Sequence, residues 1–337
     1  MKNNYFLSIL ILGIITASLF LVPHANAAAQ VVLYSGRSKS LVDPLIKQFQ
    51  RETGIKVVVK YANTAQLALT LQEEGSKSPA HVFWAQDAGA LGAVNKSDLF
   101  ATLPNSITST VDSYFVNSNK TWIATSGRAR VLAYAPDRVK ESELPGSIFE
   151  LSDPKWKGRV GWAPTNGSFQ AFVTAMLKIH GKEKTKAWLV AMKNNDAKKY
   201  PKNTPIIQAL AAGGIDLGIP NHYYLLRFKS DDAKYPVEQT FFKAGDVGNL
   251  MFVSGVGVLK NAEKNAAALA FVQYLLSPQA QQYFTSETYE YPISNKVIPN
   301  SRLIPIDTLD DLLPEANLED LSNLKATLEL LTEVGLI

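Results

Sequence analysis

Short apolar runs alternate with stretches of helical periodicity through the first hundred residues. The first run, 31–34, is followed by apolar residues at helical spacing, and a Val-rich run begins after Gly54. Strand, helix and strand in this order imply a parallel pair of strands with a right-handed crossover. The continued alternation predicts an α/β lobe with helices on both faces of a sheet. The predicted elements are strands at 31–34, 55–61 and 82–84 and helices at 41–53, 65–74 and 89–94.

The alternation resumes beyond residue 130, so a second α/β lobe is expected. The predicted elements are strands at 131–134 and 215–219 and helices at 169–179, 188–192 and 206–212. A strand at 253–259 is expected to return to the first lobe, and helices at 266–276 and 278–285 follow it. A final apolar stripe predicts a C-terminal helix and consists of Leu318, Leu321, Leu324, Leu328 and Leu331. Ligands of open α/β sheets gather at the carboxyl ends of strands, which here are 35–38, 85–87 and 220–224.

The N-terminal stretch has the layout of a cleavable secretory signal. Lys2 precedes an apolar run at 6–22, and Ala25-Asn26-Ala27 offers small residues for cleavage. No later stretch approaches the roughly 20 apolar residues that span a bilayer. We expect residues 1–27 to be removed and the remainder to be a soluble periplasmic protein. Removing 27 of 337 residues leaves 310, which suits two lobes of about 150 residues each.

Composition narrows the chemistry that this chain can use. It contains no Cys, which excludes disulfides, thiolate metal sites and a cysteine nucleophile. The formal net charge of +4 is modest for 337 residues. A nucleic-acid groove would need denser positive charge interleaved with aromatic residues, so no nucleic-acid partner is expected.

A pair of adjacent tyrosines, Tyr223 and Tyr224, follows the predicted strand 215–219. A deprotonated phenol is a hard anionic donor, and a highly charged cation such as Fe(III) favours its deprotonation. Since the chain has 13 Tyr, an adjacent pair also arises readily by chance, and ordinary core packing is the alternative. Successive residues of a strand point to opposite faces, so the two tyrosines can share a metal only if the chain turns there.

A polar, Gly-containing turn at 164–168 precedes the amphipathic helix predicted at 169–179. Such a turn presents free N–H groups that suit an anion. A plain capped helix is the other interpretation, and the sequence leaves both open.

The motifs of common secreted enzymes are missing from the sequence. His81, His180 and His222 form no His-Glu-x-x-His arrangement, and neither a Gly-x-Ser-x-Gly elbow nor a phosphate-binding Gly-x-x-x-x-Gly-Lys loop occurs. The Ser152 to Lys155 stretch matches Ser-x-x-Lys, but Pro154 disrupts the helical turn that this motif requires. We therefore expect a binding protein and not an enzyme.

At this level of detail the chain resembles the ferric-ion-binding periplasmic proteins that serve iron ABC transporters, from about Val31 to the C-terminus. The residues that carry the resemblance are Tyr34-Ser35-Gly36-Arg37, Glu73-Glu74-Gly75-Ser76-Lys77-Ser78-Pro79-Ala80, Ser126-Gly127-Arg128-Ala129-Arg130-Val131 with Tyr134, Pro154-Lys155-Trp156-Lys157-Gly158-Arg159-Val160-Gly161, Asn221-His222-Tyr223-Tyr224 and Glu290-Tyr291-Pro292. The order and spacing of these motifs indicate the family more specifically than any single motif does.

The resemblance implies an α/β fold of the type II periplasmic binding protein class, with two lobes, a hinge and an interlobe cleft. Its two crossing segments would lie near residues 127 and 255. The first lobe would then comprise residues 28–127 and 255–305, and the second lobe residues 128–254 and 306–337. The last helix would pack back on the second lobe.

The resemblance also implies the site. The ferric ligands would be Tyr134, Tyr223 and Tyr224, all on the second lobe. Relatives that add a first-lobe histidine or glutamate would place it near Ser38 or Gln86, and this chain has neither. It therefore resembles the branch that completes the iron shell with carbonate or bicarbonate as a synergistic anion. The candidate anion-binding residues are Arg37, Arg128 and Arg130.

The expected function is periplasmic capture of Fe(III) and its delivery, as a monomer, to the inner-membrane permease of an ABC importer. With the protein ligands on one lobe, iron would bind before the lobes close, and closure would bring Arg37 and Gln86 over the anion. The alternatives are the same fold binding an oxyanion or a polyamine without iron, iron scavenging that feeds no transporter and, less favoured, a secreted enzyme.

Overall fold

The computed structural model describes residues 29–315, 321 and 323–337. The predicted signal at 1–27 and Leu318 of the predicted stripe lie outside the described residues. No helix in the described ranges has the length and apolar character needed to cross a membrane.

Helices and strands alternate along the chain, as the sequence pattern predicted. The strands are β1 (Gln30–Ser35), β2 (Lys56–Tyr61), β3 (Val82–Ala85), β4 (Trp122–Ala129), β5 (Leu132–Tyr134), β6 (Val160–Trp162), β7 (Lys198–Lys199), β8 (Leu217–Gly218), β9 (Glu238–Thr240) and β10 (Met251–Val258). The helices are α1 (Lys39–Thr53), α2 (Thr64–Glu74), α3 (Ala88–Lys96), α4 (Asn105–Thr108), α5 (Gly167–Asn194), α6 (Asn203–Ala211), α7 (His222–Asp231), α8 (Ala266–Leu275), α9 (Pro278–Glu287), α10 (Ile306–Asp310) and α11 (Leu324–Glu333).

The strands form two mixed sheets, one in each lobe. The first sheet has the order β2-β1-β3-β10-β4, in which β1 is parallel to β2 and β3. The second has the order β7-β6-β8-β5-β9, in which β6 is parallel to β7 and β8. The parallel pair predicted from the first strand-helix-strand unit is confirmed.

Two long antiparallel strands carry the chain between the sheets. β4 and β10 pair at the edge of the first sheet, with Ala129 opposite Met251. After Ala129 the chain enters the second sheet at β5, and it returns between β9 and β10. β4 and β10 therefore form the hinge, and their ends lie at the boundary between the lobes.

Aromatic side chains build a separate core in each lobe. Trp84 packs edge-on against Phe271 and Phe284 in the first lobe. In the second, Trp162 lies edge-on against Phe169 and Trp188. All of them are nearly or fully buried, so each lobe has the apolar interior that an independent sheet requires.

Helix α5 joins two segments that the sequence pattern predicted separately. Gly181, with φ of 78°, breaks the helical geometry between them. The last helix, α11, packs along α5, where Thr174 and Thr327 share a hydrogen bond of 2.6 Å. It also contacts α3 of the first lobe. The C-terminal helix therefore lies against both lobes.

Candidate metal centre

The tyrosine pair lies in the first turn of α7, directly after β8. Successive residues of a helix are about 100° apart, so two neighbours at its start can point into one space. The rings of Tyr223 and Tyr224 are stacked, with their centroids 4.2 Å apart and their planes at 29°. Both side chains are buried. The turn that a shared metal requires is therefore present.

The surroundings of the pair oppose its ionisation in the absence of a cation. Burial raises the pKa of Tyr223 well above its usual value, and neighbouring Tyr224 raises it further. The guanidinium groups of Arg128 and Arg37 act in the opposite direction. The positive end of α7 also favours negative charge near its first turn. A highly charged cation would complete the conditions for two phenolates.

Arg128 is a buried cation without a hydrogen-bond partner among the residues that the structure describes. It lies on β4 opposite Phe252, with its guanidinium 4.9 Å from the centre of that ring, and it is fully buried. None of its Nε, Nη1 and Nη2 atoms has a partner among the described residues. A buried charge in this state is costly unless an anion pairs with it. The guanidinium is therefore equipped to bind a small anion.

Arg37 reaches the same region from the loop after β1. Its Nη2 donates to Oε1 of Glu290 at 2.6 Å, while its Nε has no partner in the described structure. Burial alone would lower the pKa of Arg37, but the charge of Glu290 and the neighbouring tyrosines raise it. Arg37 thus brings a paired, permanently charged guanidinium from the first lobe to the tyrosines of the second.

Arg130 has a different role from Arg128. Its Nη1 donates to the carbonyl oxygen of Ile219 at 2.5 Å, and its Nη2 donates to that of Ser168 at 2.7 Å. Burial, together with the charge of Arg128, lowers the pKa of Arg130 to about 9. Only its Nε lacks a partner in the described part of the chain. Arg130 therefore joins the end of β8 to the start of α5.

Tyr134 lies apart from the tyrosine pair. It is opposite Leu217 in the antiparallel register of β5 and β8, whereas Arg130 is opposite Asn221. Four residues of strand separate these positions, which is about 13 Å. Burial raises the pKa of Tyr134, and the charges that affect it belong to Glu141 and Glu238. The structure brings Tyr223 and Tyr224 together but does not bring Tyr134 to them.

Three further polar residues belong to the cleft, although the sequence pattern assigned them no role. The buried amide of Asn221 has no partner for Oδ1 or Nδ2 among the described residues. Glu290 is fully buried and accepts from both Arg37 and Ser126. Asp87 caps α3 by accepting from the N–H of Ala90 at 2.9 Å, and burial raises its pKa to about 6. Only Glu290 of these three has its described side-chain partners far away in sequence, and both Asn221 and Glu290 stand in motifs that carry the family resemblance.

The turn at 164–168 forms a capped helix start. Asn166 accepts from the N–H of Ser168 at 3.0 Å and from its hydroxyl at 2.7 Å. The carbonyl oxygen of Ser168 is the acceptor for Arg130. These contacts agree with the capped-helix interpretation of the turn.

The two lobes meet tightly over the site. A Cβ atom on Gly167, at the start of α5, would lie 2.9 Å from Oδ2 of Asp87 at the start of α3. A cavity of about 330 Å³ lies beside Tyr224, between α7 and the end of α9. The lobes are therefore in contact near the site, and Tyr224 borders a cavity.

Among the described residues, no group of three or more His, Cys, Asp or Glu side chains is arranged to hold a metal ion. The candidate metal donors at this site are the phenol oxygens of the stacked pair, Tyr223 and Tyr224. Beside it lie the unpartnered guanidinium of Arg128 and the amide of Asn221.

Known proteins of similar sequence and structure identify the fold and the family. Residues 77–305 match the family of bacterial extracellular solute-binding proteins. The chain is 32% identical to the Fe(3+)-binding periplasmic protein of Serratia marcescens over 96% of this chain and 97% of that protein. It is 33% identical to the major ferric iron-binding protein of Neisseria meningitidis over 92% and 94% of the two chains.

A solved structure extends the similarity to three dimensions. The crystal structure of iron-bound HitA from Pseudomonas aeruginosa has a TM-score of 0.87 and 32% identity, covering 91% of this chain and 99% of that chain. This confirms the predicted two-lobed α/β fold of the type II periplasmic binding protein class. The family consists of solute-binding transport proteins and not of enzymes, as the sequence predicted. The chain therefore belongs to the bacterial extracellular solute-binding proteins, within the group of ferric-ion-binding periplasmic proteins.

Proposed function

We propose that this protein captures Fe(III) in the periplasm through the phenolates of Tyr223 and Tyr224 and a synergistic carbonate or bicarbonate. The observation that carries the proposal is the fully buried, unpartnered guanidinium of Arg128 beside a stacked tyrosine pair. Guanidinium presents paired N–H donors that match a planar oxyanion. Phenolate oxygens are hard donors and favour Fe(III) over Fe(II).

The buried charges support an anion as part of the site. Arg37, Arg128 and Arg130 supply three positive charges and Glu290 supplies one negative charge. Fe(III) with two phenolates would add one further positive charge. Two negative charges from carbonate and one from an ionised Asp87 would balance this set. The synergistic anion thus has an electrostatic reason to bind together with the metal.

The anion-binding residues contribute unequally in this proposal. Arg128 binds the anion directly, Arg37 offers its free Nε from the first lobe, and Arg130 supports the site through Ile219 and Ser168. We leave Tyr134, which the family resemblance implied as a third ligand, outside the proposed ligand set, since four residues of chain separate it from Arg130, the residue opposite Asn221. Water or the anion completes the shell.

Relatives support the cellular role in the proposal. Proteins named as ferric-binding and periplasmic align with nearly the whole chain. We infer that this protein acts in the periplasm as a monomer and delivers iron to the permease of an ABC importer. Deleting its gene should reduce ferric iron uptake, and restoring the gene, but not a variant without the tyrosine pair, should recover it.

The proposal is tested by titrating the metal-free protein with chelated Fe(III) in the presence and absence of bicarbonate. A phenolate-to-iron charge-transfer band should saturate near one equivalent and should require the anion. The band should vanish in a Tyr223→Phe, Tyr224→Phe variant and persist in the control variant Tyr134→Phe. Iron uptake should release protons, because both phenols must ionise, and affinity should fall as pH decreases. No band in the unmodified protein would refute the proposal and would favour another ligand such as an oxyanion.

A further inference from the structure

We propose that His222 is a positioning residue that fixes the tyrosine pair to the hinge through both of its ring nitrogens and does not bind the metal. The proposal rests on the function proposed above. Its starting point is the first turn of α7, where Asn221 makes no side-chain cap. The helix start that carries both tyrosines is held instead by the side chain of the residue preceding them.

Both ring nitrogens of His222 are engaged by backbone groups. Nε2 lies 2.7 Å from the carbonyl oxygen of Tyr289, and a carbonyl oxygen only accepts, so Nε2 carries a hydrogen. Nδ1 lies 3.1 Å from the backbone nitrogen of Ala129 and 3.3 Å from its carbonyl oxygen. The backbone of Ala129 therefore satisfies Nδ1 as either a donor or an acceptor.

This arrangement leaves no ring nitrogen for a metal. The backbone of Ala129 engages Nδ1, and Nε2 bears a hydrogen that points to the carbonyl oxygen of Tyr289. The imidazole is buried, with only 3% of its residue surface exposed. Although His222 is next to Tyr223 in sequence, its geometry is that of a support.

The two backbone partners of His222 belong to the connection between the lobes. Ala129 ends β4, where the chain leaves the first sheet. Tyr289 has φ of 56°, a left-handed conformation that is unfavourable for a bulky side chain. The segment that follows is fixed to β4 by two hydrogen bonds between Tyr291 and Gly127. Surrounding contacts thus hold a strained backbone in place, as is common at functional sites.

Ring contacts carry this support to the tyrosine pair. The imidazole lies edge-on to the ring of Tyr223, with centroids 5.8 Å apart and planes at 82°, and it lies 5.0 Å from the ring of Tyr291. Glu290, which lies between Tyr289 and Tyr291, accepts a hydrogen bond from Arg37 of the first lobe. His222 therefore links the orientation of Tyr223 to the same segment that holds Arg37.

The experiment compares His222→Leu and His222→Gln with the control His180→Leu, whose ring lies away from the cleft against Phe149. A Gln side chain can accept from Ala129 and donate to Tyr289, whereas Leu can do neither. We expect the Leu variant to bind Fe(III) about 10- to 100-fold more weakly, with a shifted charge-transfer band. The Gln variant should recover most of the affinity, and the control should match the unmodified protein. Thermal unfolding of the metal-free variants separates loss of folding from loss of positioning.

A second measurement does not depend on iron. Nitrogen NMR of the metal-free protein should show a hydrogen on Nε2 of His222, where it is held by the carbonyl oxygen of Tyr289. An Nε2 without a hydrogen would overturn the proposal. Equal iron affinity and identical bands in the Leu variant and the unmodified protein would also overturn it, as would pulsed-EPR coupling between Fe(III) and a histidine nitrogen. Absence of any iron band in the unmodified protein would refute the proposed function, and the NMR measurement would then still support or overturn the hydrogen-bonding geometry.

Discussion

At the scale of single residues, two arginines separated by one position have opposite relations to their surroundings. Arg128 is buried without hydrogen bonds among the described residues, while Arg130 donates to two backbone carbonyls. An unpaired buried charge opposes folding, whereas a buried charge that satisfies acceptors supports it. Arg128 therefore destabilises the metal-free protein in return for anion binding, and Arg130 supports the architecture of the site.

This contrast predicts opposite stability effects for the same substitution. Arg128→Met should leave the free energy of unfolding of the metal-free protein unchanged or raise it, while abolishing the bicarbonate dependence of iron binding. Arg130→Met should lower the free energy of unfolding by about 2 kcal/mol or more, because the carbonyl oxygens of Ile219 and Ser168 lose their donor. Urea unfolding of the metal-free variants measures both values. A greater loss of stability for Arg128→Met than for Arg130→Met would contradict the assignment.

The buried carboxyl of Asp87 makes the stability of the folded protein depend on pH, in a direction that follows from its raised pKa. Its carboxyl has a pKa of about 6 when folded and ionises near its usual 3.8 when unfolded. The folded state therefore holds the proton longer, and the contribution of Asp87 to stability is lost as pH rises from 3.8 through 6. Asn caps helices as well as Asp but does not titrate.

The stability of Asp87→Asn relative to the unmodified protein should accordingly increase by about 2.5 kcal/mol between pH 3.8 and pH 6.5. His222 titrates in both proteins, so its contribution cancels in the difference. Urea unfolding of the metal-free proteins at several pH values provides the test. A difference that stays constant across this range would show that Asp87 is not the group responsible.

At the scale of elements, the crossing strand β10 depends on the absence of a side chain at one position. A register shift occurs between Ser254 and Gly255 in its pairing with β4. A Cβ atom on Gly255 would lie 2.8 Å from the carbonyl oxygen of Ile123 and 2.7 Å from Cδ1 of Leu91. The backbone oxygen cannot move without disturbing the ladder, so glycine is required by packing.

Gly255→Ala should therefore lower the free energy of unfolding by about 1–3 kcal/mol, the usual cost of overpacking. Gly214→Ala is a matched control, because its Cβ would meet nothing closer than 3.6 Å and the residue is exposed. The control should change stability by less than about 0.5 kcal/mol. Equal stability of the two variants in thermal and urea unfolding would mean that β10 adapts to the added methyl group.

At the scale of the whole molecule, the approach of the two lobes depends on small residues where helices meet. Gly167 at the start of α5 faces Asp87 at the start of α3, with Thr64 nearby. Arg37 lies close enough to the tyrosines for their charges to affect its pKa. The closed cleft therefore brings charged groups of the first lobe to the tyrosines of the second, and it leaves no room for a branched side chain at Gly167.

Gly167→Val should hold the lobes apart without unfolding either of them. The iron-loaded variant should have a larger radius of gyration by small-angle scattering than the iron-loaded unmodified protein, and its iron affinity should be lower. Adding Asp87→Ser, which keeps a cap for α3 but removes Oδ2, should restore part of the closure. An unchanged radius and affinity in Gly167→Val would contradict this role for the contact.

Periodicity along the chain was sufficient to predict the architecture. Alternating apolar runs and helical stripes predicted β1 to α3 and most later elements, because each element must bury an apolar face against a sheet. Short strands such as β7 and β9 were not predicted, since two or three residues carry no measurable period. The helix α7 was also missed, because its apolar residues are concentrated in its first half.

Sequence order also led to the tyrosine pair and to the arginines, because residue type determines which ligands they can hold. It could not show that Arg130 is committed to Ile219 and Ser168, or that Tyr134 is paired with Leu217, four residues before Asn221. Nor could it show that both nitrogens of His222 are occupied. Patterns within one element are local and follow from the periods of helix and strand. Hydrogen-bond partners, strand register and burial join residues far apart in the chain, and these exist only once the two lobes have folded and met.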